Sequence, residues 1–155
     1  MIIDIIKDRN LDNLKKYLKS NKVDFNEKDK WGNYALNVSS NIGEFQITKL
    51  LLEYPFDINA KGLDDCTPLY YAISGRHTDI VKILIDKKVD LNIPDKDGNT
   101  PLITAADMFN GDDTIVKLLL ESGADPHIKN NYGVSVYKIL EMPRNKSIKD
   151  LFPPE

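Results

Sequence analysis

Three series of residues recur along this chain in one shared register, and an internal repeat of fixed length constrains a fold more than any single motif does. Four segments, Val23-Asp24-Phe25-Asn26, Phe56-Asp57-Ile58-Asn59, Val89-Asp90-Leu91-Asn92 and Ala124-Asp125-Pro126-His127, place an aspartate at steps of 33, 33 and 35 residues. Gly32, Asp65, Gly98 and Gly133 follow the same 33, 33 and 35. Leu36, Leu69 and Leu102 lie 33 apart. The last step of 35 marks two extra residues in one unit. Such a unit has room for one pair of short helices, which cannot bury an apolar face alone, so at least three must stack.

Within the period, Thr67-Pro68-Leu69-Tyr70 and Thr100-Pro101-Leu102-Ile103 read as helix starts. The threonine hydroxyl accepts from a free N–H of the first turn. Proline follows at the first helical position, where its missing N–H costs nothing. Leu69 and Ala72, like Leu102 and Ala105, fall on one face, and the small alanines permit close packing. A second helix follows, with apolar residues at Ile80, Ile83 and Leu84, spaced i, i+3, i+4. Its earlier copies are Leu14, Tyr17, Leu18 and Ile47, Leu50, Leu51. Lys16, Lys49, Lys82 and Lys117 recur at one exposed position, read as a solvated helix face. Gly32, Gly98 and Gly133 mark turns with positive φ, and Asp65 stands in for glycine in the third copy.

Together these motifs, with Gly123-Ala124-Asp125 after the second helix and Asp95-Lys96-Asp97-Gly98-Asn99 before the first, resemble the ankyrin repeat from about Met1 to Leu140. The resemblance implies an all-α repeat solenoid of stacked helix–turn–helix units joined by hairpin-like loops. One domain is expected over 1–155, in units of roughly 1–28, 29–61, 62–94, 95–129 and 130–155, the first and last serving as caps. The resemblance also implies a partner-binding concave face built from hairpin tips and first helices. The matching tip residues are Lys30, Trp31, Asn33, Leu63, Asp64, Cys66, Lys96, Asp97, Asn99, Asn131, Tyr132 and Val134. The matching first-helix residues are Asn41, Ile42, Ser74, Gly75, Asp107 and Met108. Trp31 and Tyr132 are aromatic anchors of the kind that dominate interfaces, although Trp31 has a second reading, folded back over its own hairpin.

The pattern breaks in several places. The histidine of the family's helix start is absent, with Asn37, Tyr70, Ile103 and Lys138 in its place, which predicts less rigid loops. Tyr34-Ala35 replaces Thr-Pro, removing both start signals from one helix. Pro55 occupies the helix-exit position held by Gly123, so that helix must end differently. The two extra residues lie between Ala106 and Gly111 and lengthen a helix end or its turn, leaving Met108 and Phe109 either protruding or folded over the core. Ile2 to Lys7 and Leu11 to Ser20 read as the first helix pair. At the other end, a helix running to about Glu141 is stopped by Met142-Pro143, with a short closing helix from Ser147 to Phe152.

Catalytic and metal signatures are missing: no G-x-S-x-G, phosphate-binding glycine loop, H-E-x-x-H or C-x-x-C occurs. Cys66 and His77 share a unit but sit at opposite ends of a helix, too far apart for a nucleophile–base pair. His77 matches the family's position between the two helices and reads as structural. Neither a cofactor nor a metal is therefore expected, nor an enzyme. The net charge of −3 argues against a nucleic-acid partner, and no apolar run reaches the ~20 residues of a membrane span. A single cysteine allows no internal disulfide and fits a reducing, cytoplasmic setting. The expectation is a small monomeric adaptor or inhibitor that binds another protein. An alternative is an antidote to a basic toxin such as a nuclease, steered by an acidic groove of Asp64, Asp65, Asp95, Asp97, Asp107, Asp112 and Asp113. A more remote one is an acidic-loop metal protein or enzyme.

Overall fold

The computed structural model describes residues 1–20 and 22–155. The chain divides into two compact units, Met1–Val89 and Asp90–Glu155. Among the described residues every regular element is helical, apart from one isolated bridge between Lys28 and Tyr34.

The first unit holds α1 (Ile2–Lys7), α2 (Leu11–Leu18), α3 (Ala35–Ile42), α4 (Phe45–Leu51), α5 (Pro68–Ser74) and α6 (Thr78–Asp86), with a 3-10 turn at Leu63–Asp65. None exceeds nine residues, below the ~12–15 at which an isolated helix begins to hold in water. Packing must therefore supply their stability. The first helices of each pair, α1, α3 and α5, pack in sequence, and so do the second helices, α2, α4 and α6. Ile2, Ile6, Leu14, Leu36, Ile47, Leu51, Leu69, Ile80 and Leu84 are sealed from solvent between the rows. Each such side chain contributes roughly 1.5–3 kcal/mol on burial.

The second unit holds α7 (Pro101–Asp107), α8 (Thr114–Glu121), α9 (Val136–Leu140) and a closing 3-10 helix, Pro143–Leu151. Helix α7 packs on α8 and α9, and the closing helix packs on α9. That last element begins at Pro143, earlier than Ser147, because Asn145 is fully buried and donates from Nδ2 to the Ile139 carbonyl at 2.8 Å. Ile148 plugs the end of the core.

The capping residues behave as their chemistry demands. Thr67 and Thr100 accept from the backbone N–H of Tyr70 and Ile103, each at 3.3 Å, with Pro68 and Pro101 next in line. Asn10 caps α2 through Asn13 N–H at 2.9 Å. Helix α3 keeps its start without Thr-Pro, because the Asn37 side chain reaches back to accept from the Tyr34 N–H at 3.0 Å. His77 precedes α6 and is structural: a Cβ placed on Gly43 or Gly75 would fall 2.4 Å or 2.3 Å from its ring.

Helix exits explain the glycine pattern and its exceptions. After α8, Gly123 turns left-handed at φ +93 while Ala124 N–H reaches back to the Leu119 carbonyl. After α6 the same turn is made by Lys88 at φ +64, with Val89 N–H bonded to the Leu84 carbonyl. This is the left-handed cap that glycine adopts without a steric penalty. Pro55 cannot take that conformation, and α4 unwinds instead through tight bonds from Glu53 to Leu50 and from Tyr54 to Leu51. The two extra residues lengthen the turn and leave the helix unchanged: α7 has seven residues, as α5 does, and Met108 and Phe109 are both half-buried.

The recurring aspartates after the second helices are turn-formers. Asp24, Asp57, Asp90 and Asp125 each accept, through Oδ1, the N–H two residues ahead at 2.8–2.9 Å. A short carboxylate held there closes the turn, joined after Asp24 and Asp57 by the backbone carbonyl of the same residue.

Candidate functional site: hairpin tips and first helices

A second line of residues in the same register builds the hairpin tips. Asp29, Asp95 and Asn130 each use one side-chain oxygen to accept two backbone N–H groups. The donors are Trp31 and Asn33 at 3.0 and 2.9 Å, Asp97 and Asn99 at 2.9 Å, and Tyr132 and Val134 at 3.0 and 2.9 Å. Each tip then turns on a glycine of positive φ, Gly32, Gly98 or Gly133. The residue between oxygen and glycine is pushed outward, which is why Trp31 stays 51% exposed and Tyr132 73% exposed.

Gly62 replaces the tip acceptor in the third copy, where backbone bonds from Gly62 to Cys66 and from Cys66 to Leu63 close the hairpin and the preceding repeat adds a side-chain bond. Asn33 Oδ1 takes the Leu63 N–H at 3.0 Å and the Tyr71 hydroxyl at 2.8 Å. A Cβ on Gly62 would stand 2.3 Å from that oxygen, so this position must lack a side chain. Asp64 and Asp65 complete the turn in left-handed conformations, at φ +56 and +59. Burial pushes the Tyr71 hydroxyl up to about 12, with Cys66, Asp29 and nearby acids adding to the effect.

In the first unit these groups enclose a cavity of about 100 Å³ lined by Lys7, Trp31, Val38, Asn41, Ile42 and Tyr71, among others. The ammonium groups of Lys30 and Lys7 lie 4.2 and 5.4 Å from the centre of the Trp31 ring. Lys7 also pairs with Asp29 at 3.5 Å. Burial alone would raise the Asp29 carboxyl; the N–H groups of Asn33 and Trp31 and the Lys7 charge outweigh it and hold the carboxyl below its ordinary value. Trp31 therefore projects as an exposed ring flanked by two cations, and does not fold away beneath its hairpin.

The predicted site residues separate on inspection. Lys30, Trp31 and Leu63 are exposed in the first unit, and Asp64 is exposed beside them. Cys66 is only 6% exposed and carries the carbonyl that Asn37 binds, so it belongs to the core side of its hairpin. Asn33 is half-buried and committed to Leu63 and Tyr71. In the second unit Tyr132 donates to Asp97 Oδ1 at 3.3 Å, and Asn131 donates to the Lys96 carbonyl at 2.9 Å, which ties two tips into one polar surface. Asn99 is half-buried between Asp95 and Asn130. Asp107 is taken by Arg144 at 2.6 Å, and Met108 is half-buried.

The aspartates expected to line an acidic groove already have partners within the chain. Asp65 pairs with Lys61, Asp113 with Lys117 and Asp107 with Arg144; Asp95 and Asp112 accept backbone N–H groups. Lys7, Asp29 and Tyr71 belong to the tip architecture without being marked as site residues in the sequence, and Asn37, which stands in the histidine position, belongs to it as well. Asp29, Gly62, Asp95 and Asn130 step by 33, 33 and 35, so the period itself held that signal. Lys7 had none, since only the packing of α1 on α3 brings it to the second hairpin.

Stacked helical hairpins with side-chain-locked tips define a repeat protein. A family model for ankyrin repeats in three copies matches residues 2–95 and 55–130, and the chain belongs to the ankyrin-repeat family. It is 30% identical over 104 residues to an ankyrin repeat-containing protein of Schizosaccharomyces pombe, covering 67% of this chain and 48% of that one. It is 38% identical over 96 residues to a putative ankyrin repeat protein of Rickettsia felis, covering 55% of this chain and 42% of the other. Against the E3 ubiquitin-protein ligase hecd-1 of Caenorhabditis elegans it is 30% identical over 135 residues, 83% of this chain and 5% of the ligase. The chain thus spans about half, or much less, of the length of these relatives. Among the described residues no helix is long and apolar enough to cross a membrane.

Proposed function

We propose that this chain is a protein-binding module that engages its partner through hairpin tips and first helices, acting as a small adaptor or inhibitor. Ankyrin repeats as a class mediate protein–protein interaction, and they are typically non-enzymatic. The observation that carries the reading here is Trp31. A large aromatic ring is held half exposed on a tip whose own hydrogen bonds are complete, at the mouth of a cavity. Such rigid, partly solvated aromatics are the usual anchors of an interface, and a pre-organised one loses little entropy on binding. Tyr132, with Asp97, Lys96 and Asn131, offers a second patch in the other unit. The antidote reading lacks comparable support, because all seven aspartates it would use, Asp97 and Asp64 included, have partners within the chain.

Affinity capture with the wild-type chain, Trp31→Ala, Tyr132→Ala and the opposite-face pair Lys49→Glu/Lys82→Glu tests the assignment. Loss of the captured partner with either aromatic change, and retention with the lysine pair, is the expected result. Capture that survives both aromatic changes and disappears with the lysine pair would move the site to the second helices.

A further inference from the structure

We propose that the Trp31 end of the cavity in the first unit receives an acidic peptide segment, with a carboxylate set beside a small aliphatic side chain. This deepens, and rests on, the protein-binding reading above. The charge at that end is positive where a partner would arrive. Lys30 is exposed over the indole and makes no ion pair among the described residues. The neighbouring acid, Asp29, is only 5% exposed at its side chain and commits one oxygen to two backbone N–H groups, facing Lys7 with the other. It can therefore neutralise Lys7 in part and Lys30 hardly at all. An arriving carboxylate meets two ammonium groups at the edge of a ring that lowers the local dielectric, where a charge pair is stronger than in open water.

The cavity below sets the second requirement. At about 100 Å³ it is smaller than the ~150 Å³ that holds a benzene ring, so it suits a short aliphatic chain against Val38 and Ile42. On its walls Asn37 bonds to Tyr34, Ala60 and Cys66, and the Asn33 oxygen bonds to Leu63 and Tyr71. An apolar group entering there leaves those bonds in place. Exposed Asn41 at the rim remains to bond a peptide group.

Two fluorescein-labelled synthetic peptide pools provide the test. Both carry randomised Ala, Val and Leu positions, one interleaved with Glu and the other with Lys, and binding is read by anisotropy. The Glu pool should bind at least about tenfold more tightly than the Lys pool, with the gap closing as salt is added. Lys7→Ala/Lys30→Ala should erase most of that preference while helical circular dichroism stays unchanged, and Trp31→Ala should abolish binding. Equal binding of both pools, or tighter binding of the Lys pool, that is still lost in Trp31→Ala overturns this inference and leaves the protein-binding reading standing. Binding indifferent to Trp31→Ala, or no binding by either pool, overturns the inference and removes this face from the binding reading. Displacement of the Glu pool by oligo-dT would assign the surface to nucleic acid and overturn the peptide proposal.

Discussion

Asn37, buried in the first turn of α3, donates from Nδ2 to the Cys66 carbonyl oxygen at 3.0 Å across a repeat boundary. The same nitrogen reaches the Ala60 carbonyl at 2.9 Å, and its amide oxygen accepts from Tyr34 N–H at 3.0 Å. The expectation of looser loops in the absence of the family's histidine therefore fails at this hairpin, because a shorter amide makes the link. Asn37→Ala strands the buried Ala60 carbonyl and a helix-start N–H, while the Cys66 carbonyl keeps the Gly62 N–H. It should cost about 2–4 kcal/mol, the sum of one to two unsatisfied polar groups. A urea titration followed by circular dichroism checks this; a midpoint unchanged from wild type would mean the three bonds are dispensable.

Lys88 holds φ +64 at the exit of α6, where Gly123 does the same work after α8 at φ +93. Among the described residues the exposed Lys88 side chain makes no bond that calls for lysine here, and its Cβ makes the left-handed turn unfavourable. Lys88→Gly should stabilise the chain by about 1 kcal/mol, and Lys88→Val should destabilise it by at least as much. Thermal melts of the pair give the answer by their opposite shifts in Tm.

Trp31 is the sole tryptophan, so its emission reports on the second hairpin alone. The Asp29 carboxyl that locks this hairpin titrates below its ordinary 3.8 in the folded chain. A depressed carboxylate adds stability that is complete above the unfolded value and is lost as pH falls through the folded one. Wild-type emission should hold steady from neutral pH to about pH 4 and change below it. Asp29→Asn should alter the emission at neutral pH and flatten that acid step. An identical acid profile in both proteins would separate Asp29 from the tip.

Gly62→Ala would drive a methyl into Asn33 Oδ1, whose oxygen lies 2.3 Å from the position of that Cβ. The oxygen must move away from Leu63 N–H and the Tyr71 hydroxyl together. The expected cost is about 1–3 kcal/mol, with a fall in the Tyr71 pKa from about 12 as its partner is lost and water enters. Tyrosine titration by NMR measures the second effect independently of stability.

What could be read from the sequence was what the period repeats: the Thr-Pro helix starts, the tip glycines and the apolar faces of the second helices. Their physics is local, and each copy reinforces the others. Residues that substitute for a missing local signal were harder to see. Asn37 was read as the loss of a histidine, and its geometry compensates for that loss. Gly62 was not singled out, since its reason lies 29 residues back in Asn33. Cys66 aligns with the tip residues of the other copies, but it is buried on the core side of its hairpin. The aspartates were counted as free charge because a sequence shows carboxylates without the backbone N–H groups that occupy them.

The bond from Asn33 to Leu63 also bears on how such a chain can be rearranged. A hairpin that carries its own acidic residue can be copied, deleted or grafted behind any neighbour. The third hairpin has surrendered that residue and adds to its own backbone bonds a bond from the side chain ahead of it. A library built by shuffling these repeats should therefore recover the second and third hairpins together more often than apart.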